Sequence, residues 1–520
     1  MEHKQISSIL KTASIVTLIT ILSKCVGIFR DMLMVWTFGT SAEADAYNMA
    51  QGVAGVVISL VITTISTTGL PLYSELKLNR HSKAGNDFLN NLLNILLIIS
   101  VGICLVATWF AEPITRLFAG GFTGERFALT VSMFRMIIIA VFFNVATGIF
   151  TTYLQSERKL SQLTFISSLG NIFLISGILM GWYFGAIWLA LGFVLSIAIS
   201  ALMQGVLAYR LGFKWRPYLN FRDPALKRIA KMMLPVWLGQ FVAILGTMVD
   251  KSLASYLTEG SVSALNYALR LVGSINTLIV PTILAIIAPI FAEDAVRSPG
   301  QLGIAYSQAM RTILLICLPM LIGVIALAEP MVRILFGFGS FGEWAISETI
   351  ICLALYAPQI LLFSVIGDAT SRAFVSLYDT LTPLKISIVA TLIDIIMNYA
   401  LVGYLGLSGL ALSTTIGGFC YALGSMWLLK KRLGSISGKS LVRTSLWVLA
   451  ASLLMVLPLL WLNSFIFTLV VQRIYRLLIL ALEVVVGIFI YFTVINFSKI
   501  PEVEQLKQFV LQKIRPAHSV

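Results

Sequence analysis

Residues 88–110 read FLNNLLNILLIISVGICLVATWF, a run without one charged side chain. A helix of about 20 apolar residues is long enough to cross the hydrocarbon core of a bilayer. Similar stretches recur along the chain as far as residue 497. The alternating strands of about ten residues that mark an outer-membrane barrel are not found in the sequence. The pattern therefore predicts an all-α polytopic membrane protein.

The composition of the whole chain agrees with this fold class. Of its 520 residues 58% are hydrophobic and 12% are charged, with a mean hydropathy of +0.93, whereas soluble domains carry about 25% charged residues. The basic residues behind the net charge of +14 lie at the ends of the apolar stretches, as the positive-inside rule describes. We therefore expect contact with membrane lipids and no nucleic-acid binding.

Cysteine and histidine usage indicates neither a metal cluster nor a disulfide framework. The five cysteines are scattered through apolar segments, and the three histidines lie at the termini or in a connection. This spacing fits no known metal-ligand pattern, and no Ser-His-Asp set is evident. The N-terminal stretch lacks a small-residue cleavage site, so we expect its span to be retained. The chain is predicted not to be an enzyme.

Fourteen spans are predicted from the apolar stretches. The connections after spans two, four, six and twelve hold clusters of Lys and Arg, whereas those after spans one, five, seven and eleven hold none. Basic connections stay on the cytoplasmic side, so both termini are predicted to be cytoplasmic, in agreement with an even span count. The spans are 10–37, 43–72, 88–110, 128–153, 161–183, 187–209, 233–256, 261–291, 304–327, 347–370, 382–403, 408–430, 442–463 and 474–497.

An internal repeat divides the chain into two halves. Ala111–Arg116 (AEPITR) recurs as Ala328–Arg333 (AEPMVR), 217 residues later. This spacing equals six spans, so the two halves have the same orientation in the membrane. We predict an N-lobe of six spans at 1–210, a basic cytoplasmic linker at 211–232, a C-lobe of six spans at 233–432, and spans thirteen and fourteen with a cytoplasmic tail at 433–520.

Two homologous lobes facing each other form a central cavity, which suits transport by alternating access. The basic linker between the lobes has two interpretations that stay open. It either lies near anionic lipid headgroups or serves as a regulatory or partner-docking segment.

Ionisable side chains at bilayer depth are costly unless they face water or a partner, so they are the first candidates for a site. Lys24, Arg30 and Arg270 lie in repeat-related spans and together favour a cationic cavity for an anionic substrate, because guanidinium groups bind diphosphate bidentately. Each has a structural alternative: snorkelling for Lys24, charge neutralisation for Arg30 and interfacial anchoring for Arg270. Asp45 lies at the start of span two, where helix capping is the alternative to a cavity role.

A second set of polar residues is rich in oxygen ligands. Asp394 and Asn398 are four residues apart on span eleven and share one helix face. Thr414 on span twelve and Asp250 on span seven complete a candidate site for Na⁺ or for proton-linked exchange. The alternative is a hydrogen-bonded packing network between helices.

A short motif in span one resembles a known family. Residues 23–31 (SKCVGIFRD), followed by Phe38-Gly39 and by Asp45-Ala46-Tyr47, are similar to the signature of the MurJ/MviN lipid II flippases, in which a Ser-Arg-x-x-Gly-x-x-Arg-Asp run precedes Phe-Gly and Asp-Ala-Phe. Residues 267–271 (YALRL) resemble the family's Tyr-Ala-x-Arg-Leu in the eighth helix. Together with the span count and the repeat, the resemblance covers essentially the whole chain.

The resemblance implies the fold of the multidrug/oligosaccharidyl-lipid/polysaccharide exporter superfamily. It also implies that Lys24, Arg30, Asp45 and Arg270 take the charged roles in a cavity that engages the diphosphate of lipid II. Spans thirteen and fourteen would line a groove for the polyprenyl tail. The set Asp250, Asp394, Asn398 and Thr414 is similar to a sodium site attributed to some members. A role in peptidoglycan and cell-wall biogenesis, with cell-wall synthesis proteins as partners, is implied as well.

The chain departs from the family pattern at two places. Lys24 stands where many members have Arg, which keeps the charge and loses the bidentate fork. Ile58-Ser59 occupies the place of an Arg pair in span two. Lipid II flipping, which the resemblance implies, is the first hypothesis. Because of these departures, export of another polyprenyl-linked saccharide, such as an exopolysaccharide or teichuronic repeat unit, is the second. A cation or drug antiporter is a third.

Overall fold

The computed structural model describes residues 2–434, 436, 438–469, 472–498, 500–504 and 507. Helices dominate these residues and no strand occurs among them, which confirms the predicted all-α class. The helices are α1 (Glu2–Phe38), α2 (Ala42–Thr64), α3 (Leu70–Trp109), α4 (Ala111–Phe118), α5 (Gly124–Ile137), α6 (Ala140–Ser156), α7 (Leu160–Phe184), α8 (Ile187–Arg210), α9 (Pro224–Ala254), α10 (Ser261–Arg297), α11 (Pro299–Ala326), α12 (Ala328–Phe336), α13 (Glu343–Pro358), α14 (Ser364–Ser376), α15 (Leu381–Leu405), α16 (Leu407–Leu433), α17 (Gly438–Leu469) and α18 (Arg473–Ile495).

The predicted membrane-spanning character is confirmed. Among the described residues, ten helical stretches are long and apolar enough to cross a bilayer, or eleven if the bent pair Ser261–Thr277 and Thr282–Arg297 is one span. The long helices α1, α2 and α9 lie at the predicted positions of spans one, two and seven. The total of fourteen spans stays a prediction.

Three spans are more complex than a single straight helix. Span two continues from α2 through a π-helical turn at Ile65–Gly69 into α3, which runs unbroken through the next span. Span four is broken between α5 and α6, and span ten contains a π-helical turn at Gln359–Phe363 between α13 and α14. Such turns widen the helix locally and are frequent at functional sites.

The chain forms two compact units. Unit 1 comprises Met1–Ser263 with Phe338–Gly342, and unit 2 comprises Ala264–Gly337 with Glu343–Val520, in each case as far as the described residues extend. The boundaries of the predicted lobes, linker and tail stay predictions.

In unit 1 the basic linker is tied to α3 by a ladder of asparagines. The amide of Asn91 donates to the carbonyl of Asn220 at 2.9 Å and accepts from its N–H at 2.8 Å. Asn90 accepts from the N–H of Arg216 at 2.9 Å, and Asn94 donates to the carbonyl of that residue at 2.7 Å. The side chains of α3 thus satisfy backbone groups of the linker that would otherwise need water.

The repeated hexapeptide forms a short helix in both of its copies. In α4, Arg116 pairs with Glu112 at 3.5 Å, and in α12, Arg333 pairs with Glu329 at 2.8 Å. The glycine-rich segment after each helix contacts the end of a long helix of unit 1. The N–H of Gly121 donates to Ser255 Oγ at 3.1 Å, and the N–H of Ser340 donates to the carbonyl of Trp36 at 3.2 Å. This second contact explains why Phe338–Gly342 belongs to unit 1.

The hairpin of α7 and α8 depends on two glycines that let the helix backbones touch. A Cβ on Gly177 would lie 2.7 Å from the Cα of Gly192. We expect Gly177→Ala to destabilise the protein by about 1–3 kcal/mol, as overpacking does in a well-packed interior. The control is Gly102→Ala in α3, where a Cβ would meet nothing within 4 Å and alanine favours the helix. Apparent melting temperatures in detergent should fall for the first variant and not for the second.

In unit 2 the appended helices α17 and α18 pack on α11. Val448, Met455, Leu459 and Tyr491 form a buried apolar cluster with the segment at Ile500, and Tyr491 donates to the carbonyl of Leu315 at 2.9 Å. A largely buried arginine of α11 anchors both ends of the pair. Arg311 Nε lies 2.6 Å from Glu502 Oε1, and its Nη1 donates to Ser440 Oγ at 3.0 Å.

Candidate functional site

Arg30 of α1 is the best-defined cation among the predicted site residues. Its Nε and Nη2 donate to Asp31 Oδ1 at 3.0 and 2.7 Å, and its Nη1 donates to Asn171 Oδ1 of α7 at 3.1 Å. These three bonds use three of the five N–H donors of a guanidinium, and the side chain is 25% exposed. The remaining two donors have no partner among the described residues, so a held guanidinium retains the capacity to bind an anion.

Lys24 and Arg270 are both half-buried. Lys24 lies two helical turns before Asp31 on α1, and therefore on the same helix face. Arg270 lies on α10 in unit 2, whereas Lys24, Arg30 and Asp45 belong to unit 1. The single cationic cavity that these residues were expected to share stays a prediction.

The Asp45 carboxylate is fully buried within unit 1. Its Oδ2 accepts from the N–H of Gly260 at 2.8 Å, and its Oδ1 accepts from the N–H and Oγ of Ser263 at 2.8 and 2.7 Å. These donors lie at the N-terminus of α10, where helical N–H groups lack internal partners and favour a negative charge. Asp45 therefore caps α10, rather than the helix that carries it. Its predicted contact with substrate stays a prediction.

Arg126 completes this buried cluster and was not anticipated from the sequence. Its Nη1 lies 3.7 Å from Asp45 Oδ2, its Nη2 donates to the carbonyl of Ser255 at 3.3 Å, and its guanidinium lies 3.6 Å from the centroid of the Phe122 ring. Arg126 follows a glycine-rich connection near the start of α5, where a cation is ordinarily an interfacial anchor. Nothing in the local pattern indicates a partner 81 positions earlier in the chain.

An apolar and a small polar side chain, Ile58 and Ser59, occupy the place in span two where the resemblance implies a basic pair. Ile58 is buried, and Ser59 donates to the carbonyl of Val56 at 3.0 Å. A cation of another helix packs against span two. Lys251 Nζ of α9 lies so close to Gly52 of α2 that a Cβ placed on this glycine would be 2.7 Å from it. Lys251 directly follows Asp250 in the sequence, and nothing in the local pattern around it indicates that a glycine of α2 makes room for its side chain.

The candidate cation site is partly assembled in unit 2. Asp394 and Asn398 are buried on α15, with Asn398 Nδ2 3.5 Å from Asp394 Oδ1, which is long for a hydrogen bond. On the adjacent α16, Thr414 donates to the carbonyl of Leu410 at 3.2 Å. A Cβ on Gly417 of α16 would lie 2.9 Å from Asp394 Cβ, so the two helices approach closely here. The fourth residue, Asp250, is buried in unit 1.

The donor chemistry of this set suits a hard monovalent cation better than a transition metal. Carboxylate, amide and hydroxyl oxygens are the ligands that hard cations prefer. In the part of the chain that the structure describes, no group of three or more His, Cys, Asp and Glu side chains is placed to hold a metal.

Known proteins of one family are similar to this chain along most of its length. The sequence profile of the family described as "Lipid II flippase MurJ" matches residues 34–480. A probable lipid II flippase MurJ of Thermotoga maritima is 25% identical over 511 residues, covering 97% of this chain and 99% of the relative. A probable lipid II flippase MurJ of Vibrio cholerae serotype O1 is 24% identical over 460 residues, covering 85% and 86%.

Solved structures share the fold. A lipid II flippase MurJ in an inward closed conformation superimposes with a TM-score of 0.78 at 22% identity, covering 93% of this chain and 98% of that one. An inward-facing multidrug resistance transporter of the MATE family, within the MOP superfamily, gives a TM-score of 0.67 at 20% identity, covering 79% and 95%. The resemblance read from residues 23–47 and 267–271 is thus confirmed, and the chain belongs to the MurJ family of lipid II flippases.

Proposed function

We propose that this chain translocates lipid II, the undecaprenyl-diphosphate-linked peptidoglycan precursor, from the cytoplasmic to the outer leaflet of the bacterial cytoplasmic membrane. The observation that carries the proposal is the family match across residues 34–480. The chain acts as a transporter and not as an enzyme, since translocation breaks and forms no covalent bond. It serves peptidoglycan synthesis and hence cell-wall biogenesis and cell shape.

Arg30 is the residue whose geometry best suits the diphosphate. Asp31 and Asn171 hold its guanidinium, so little side-chain freedom is lost when an anion binds, and two N–H donors remain. Lys24 and Arg270 add positive charge as the headgroup crosses. These cations replace the water that hydrates the diphosphate, while the polyprenyl tail stays in the bilayer beside α17 and α18.

Lipid II starts in the cytoplasmic leaflet, and the predicted orientation of the chain says which of its faces the headgroup meets first. Both termini and the basic linker lie on the cytoplasmic side, where positive connections are retained. The headgroup therefore enters from the side of the linker and leaves on the side of α4 and α12. Cell-wall synthesis proteins that supply or consume lipid II are the partners that this route implies.

A second polyprenyl-linked substrate is favoured by one observation. Ile58 and Ser59 stand where the resemblance to the family implies a basic pair in span two, and their lack of charge lowers the positive charge available to a headgroup. Export of an exopolysaccharide or teichuronic repeat unit on the same lipid carrier would need the same diphosphate contacts.

Rescue of a strain depleted of its own lipid II flippase separates these two substrates. The chain, made and inserted at normal levels, should restore growth and rod or coccal shape. A well-inserted chain that leaves the strain unable to grow would support the second substrate. The Arg30→Ala variant, expressed equally, serves as the inactive control.

We further propose that Na⁺ binding at Asp394, Asn398 and Thr414 couples to transport. A buried carboxylate at bilayer depth needs a compensating partner, and bound Na⁺ would supply it. We expect Asp394→Asn to remove the dependence of the translocation rate on sodium at constant ionic strength, with choline as the replacement cation. Equal sodium dependence in the variant and the unmodified protein would exclude this coupling role.

A further inference from the structure

A groove of about 630 Å³ at the junction of α16 and α17 gathers three cations that are not among the predicted substrate-binding residues. Lys430 comes from the last turn of α16, and Lys439 and Arg443 come from the first two turns of α17. The remaining wall is apolar and includes Val442, Leu446 and Trp447.

The end of α16 and the start of α17 bring these cations together. Gly434 ends α16 with a φ of +68°, and its N–H donates to the carbonyl of Lys430 at 2.9 Å. The Lys430 ammonium reaches the start of α17, since a Cβ on Gly438 would lie 3.5 Å from Nζ. Lys439 and Arg443 are four residues apart and share one helix face.

The charges of this groove have no balancing carboxylate among the described residues. In the described residues around the junction, none of the three cations forms an ion pair or a hydrogen bond through its side chain. Like charges at this helical spacing repel, and cations at a helix N-terminus oppose the helix dipole. An anion in the groove would relieve both effects.

The two basic residues next to Lys430 differ from it in this respect. Arg432 pairs with Asp379, whose pKa is held below its usual value by hydrogen bonds from the N–H and hydroxyl of Thr382 and by Arg432 itself. Lys431 lies 5.8 Å from the centroid of the Trp427 ring. Among the described residues of this junction, Arg432 and Lys431 thus have partners within the protein, whereas the three cations that line the groove remain available to an anion.

We propose that this groove binds the headgroup of an anionic phospholipid, with its acyl chains along Val442, Leu446 and Trp447. The three cations contact the phosphodiester at the membrane surface, and the apolar wall continues from them toward the bilayer interior. Basic pockets between helices on the cytoplasmic side, flanked by an interfacial tryptophan, suit such lipids. A soluble phosphate would use the cations and leave the apolar wall without a role.

Native mass spectrometry of the full-length protein tests this site. The protein is extracted from nanodiscs of equal parts phosphatidylglycerol and phosphatidylcholine, and the retained lipids are counted. The unmodified protein should retain phosphatidylglycerol preferentially. Each of Lys430→Gln, Lys439→Gln and Arg443→Gln should weaken that retention about fivefold, as expected for one surface cation on an anionic lipid, and the triple variant should lose the preference.

Lys431→Gln is the matched control, because it removes an adjacent cation that does not line the groove. The proposal is overturned if the triple variant keeps the preference or if Lys431→Gln reduces it as strongly as a groove variant does. Displacement of phosphatidylglycerol by inorganic phosphate, but not by excess phosphatidylcholine, would show a free-phosphate site instead. If the triple variant elutes as an aggregate, the three single variants decide the matter by the same comparison.

Discussion

Replacing Arg30 with alanine is expected to abolish lipid II translocation in a protein that is still folded and inserted. The change removes a held guanidinium and its two remaining donors, and hydrogen bonds to charged groups contribute about 1.5–3 kcal/mol each. The translocation rate in proteoliposomes should fall by at least about a hundredfold, because each 1.36 kcal/mol on a barrier is tenfold in rate. Elution as a monodisperse species checks that folding is retained.

Two milder variants separate charge from geometry at this position. Arg30→Lys keeps the charge and loses the fork, so we expect intermediate activity. Asn171→Ala removes one hydrogen bond to the guanidinium and should slow translocation less than Arg30→Ala. Normal translocation by a well-expressed Arg30→Ala, Arg270→Ala double variant would eliminate the cationic mechanism.

Replacing Asp45 with alanine is expected to produce the largest loss of stability. The change leaves the N–H groups of Gly260 and Ser263 without their acceptor and Arg126 without its nearest carboxylate. Loss of an N-cap costs about 0.5–2 kcal/mol, and each orphaned buried donor costs about 1–3 kcal/mol more. The apparent melting temperature in detergent should therefore fall well below that of the unmodified protein.

The control for this variant is Glu43→Ala. Glu43 occupies the same first turn of α2 and is exposed, so its removal should leave the melting temperature almost unchanged. Equal melting temperatures for Asp45→Ala and the unmodified protein would contradict the capping role described for this carboxylate.

The fold was predictable because bilayer spans depend on local composition. A stretch such as residues 88–110 can be assigned to the bilayer from its own length and apolar composition, without reference to the rest of the chain. The places where a helix continues or breaks were not anticipated, because apolar content does not decide the geometry of the backbone there. The continuous helix α3 is one, and the break between α5 and α6 is another.

The candidate site was predictable only in part, for a related reason. A charged residue within an apolar stretch, such as Arg30, stands out locally. Its partner Asn171 lies 141 positions away. Asn171 is one of several polar residues of α7, and nothing in the local sequence shows which helix it faces. The capping of α10 by Asp45 joins residues 215 positions apart, so a local sequence pattern could not predict it either.

The measurement that tests the central claim most directly is translocation by the purified protein in liposomes. Lipid II, with its diphosphate and glycan headgroup, is placed in one leaflet, and its appearance in the other is followed by an enzyme that modifies only exposed headgroups. We predict protein-dependent translocation of lipid II that is faster than that of an undecaprenyl-diphosphate carrying an exopolysaccharide unit, and absent in Arg30→Ala. Translocation of the exopolysaccharide lipid alone, or equal rates with and without protein, would contradict the proposed function.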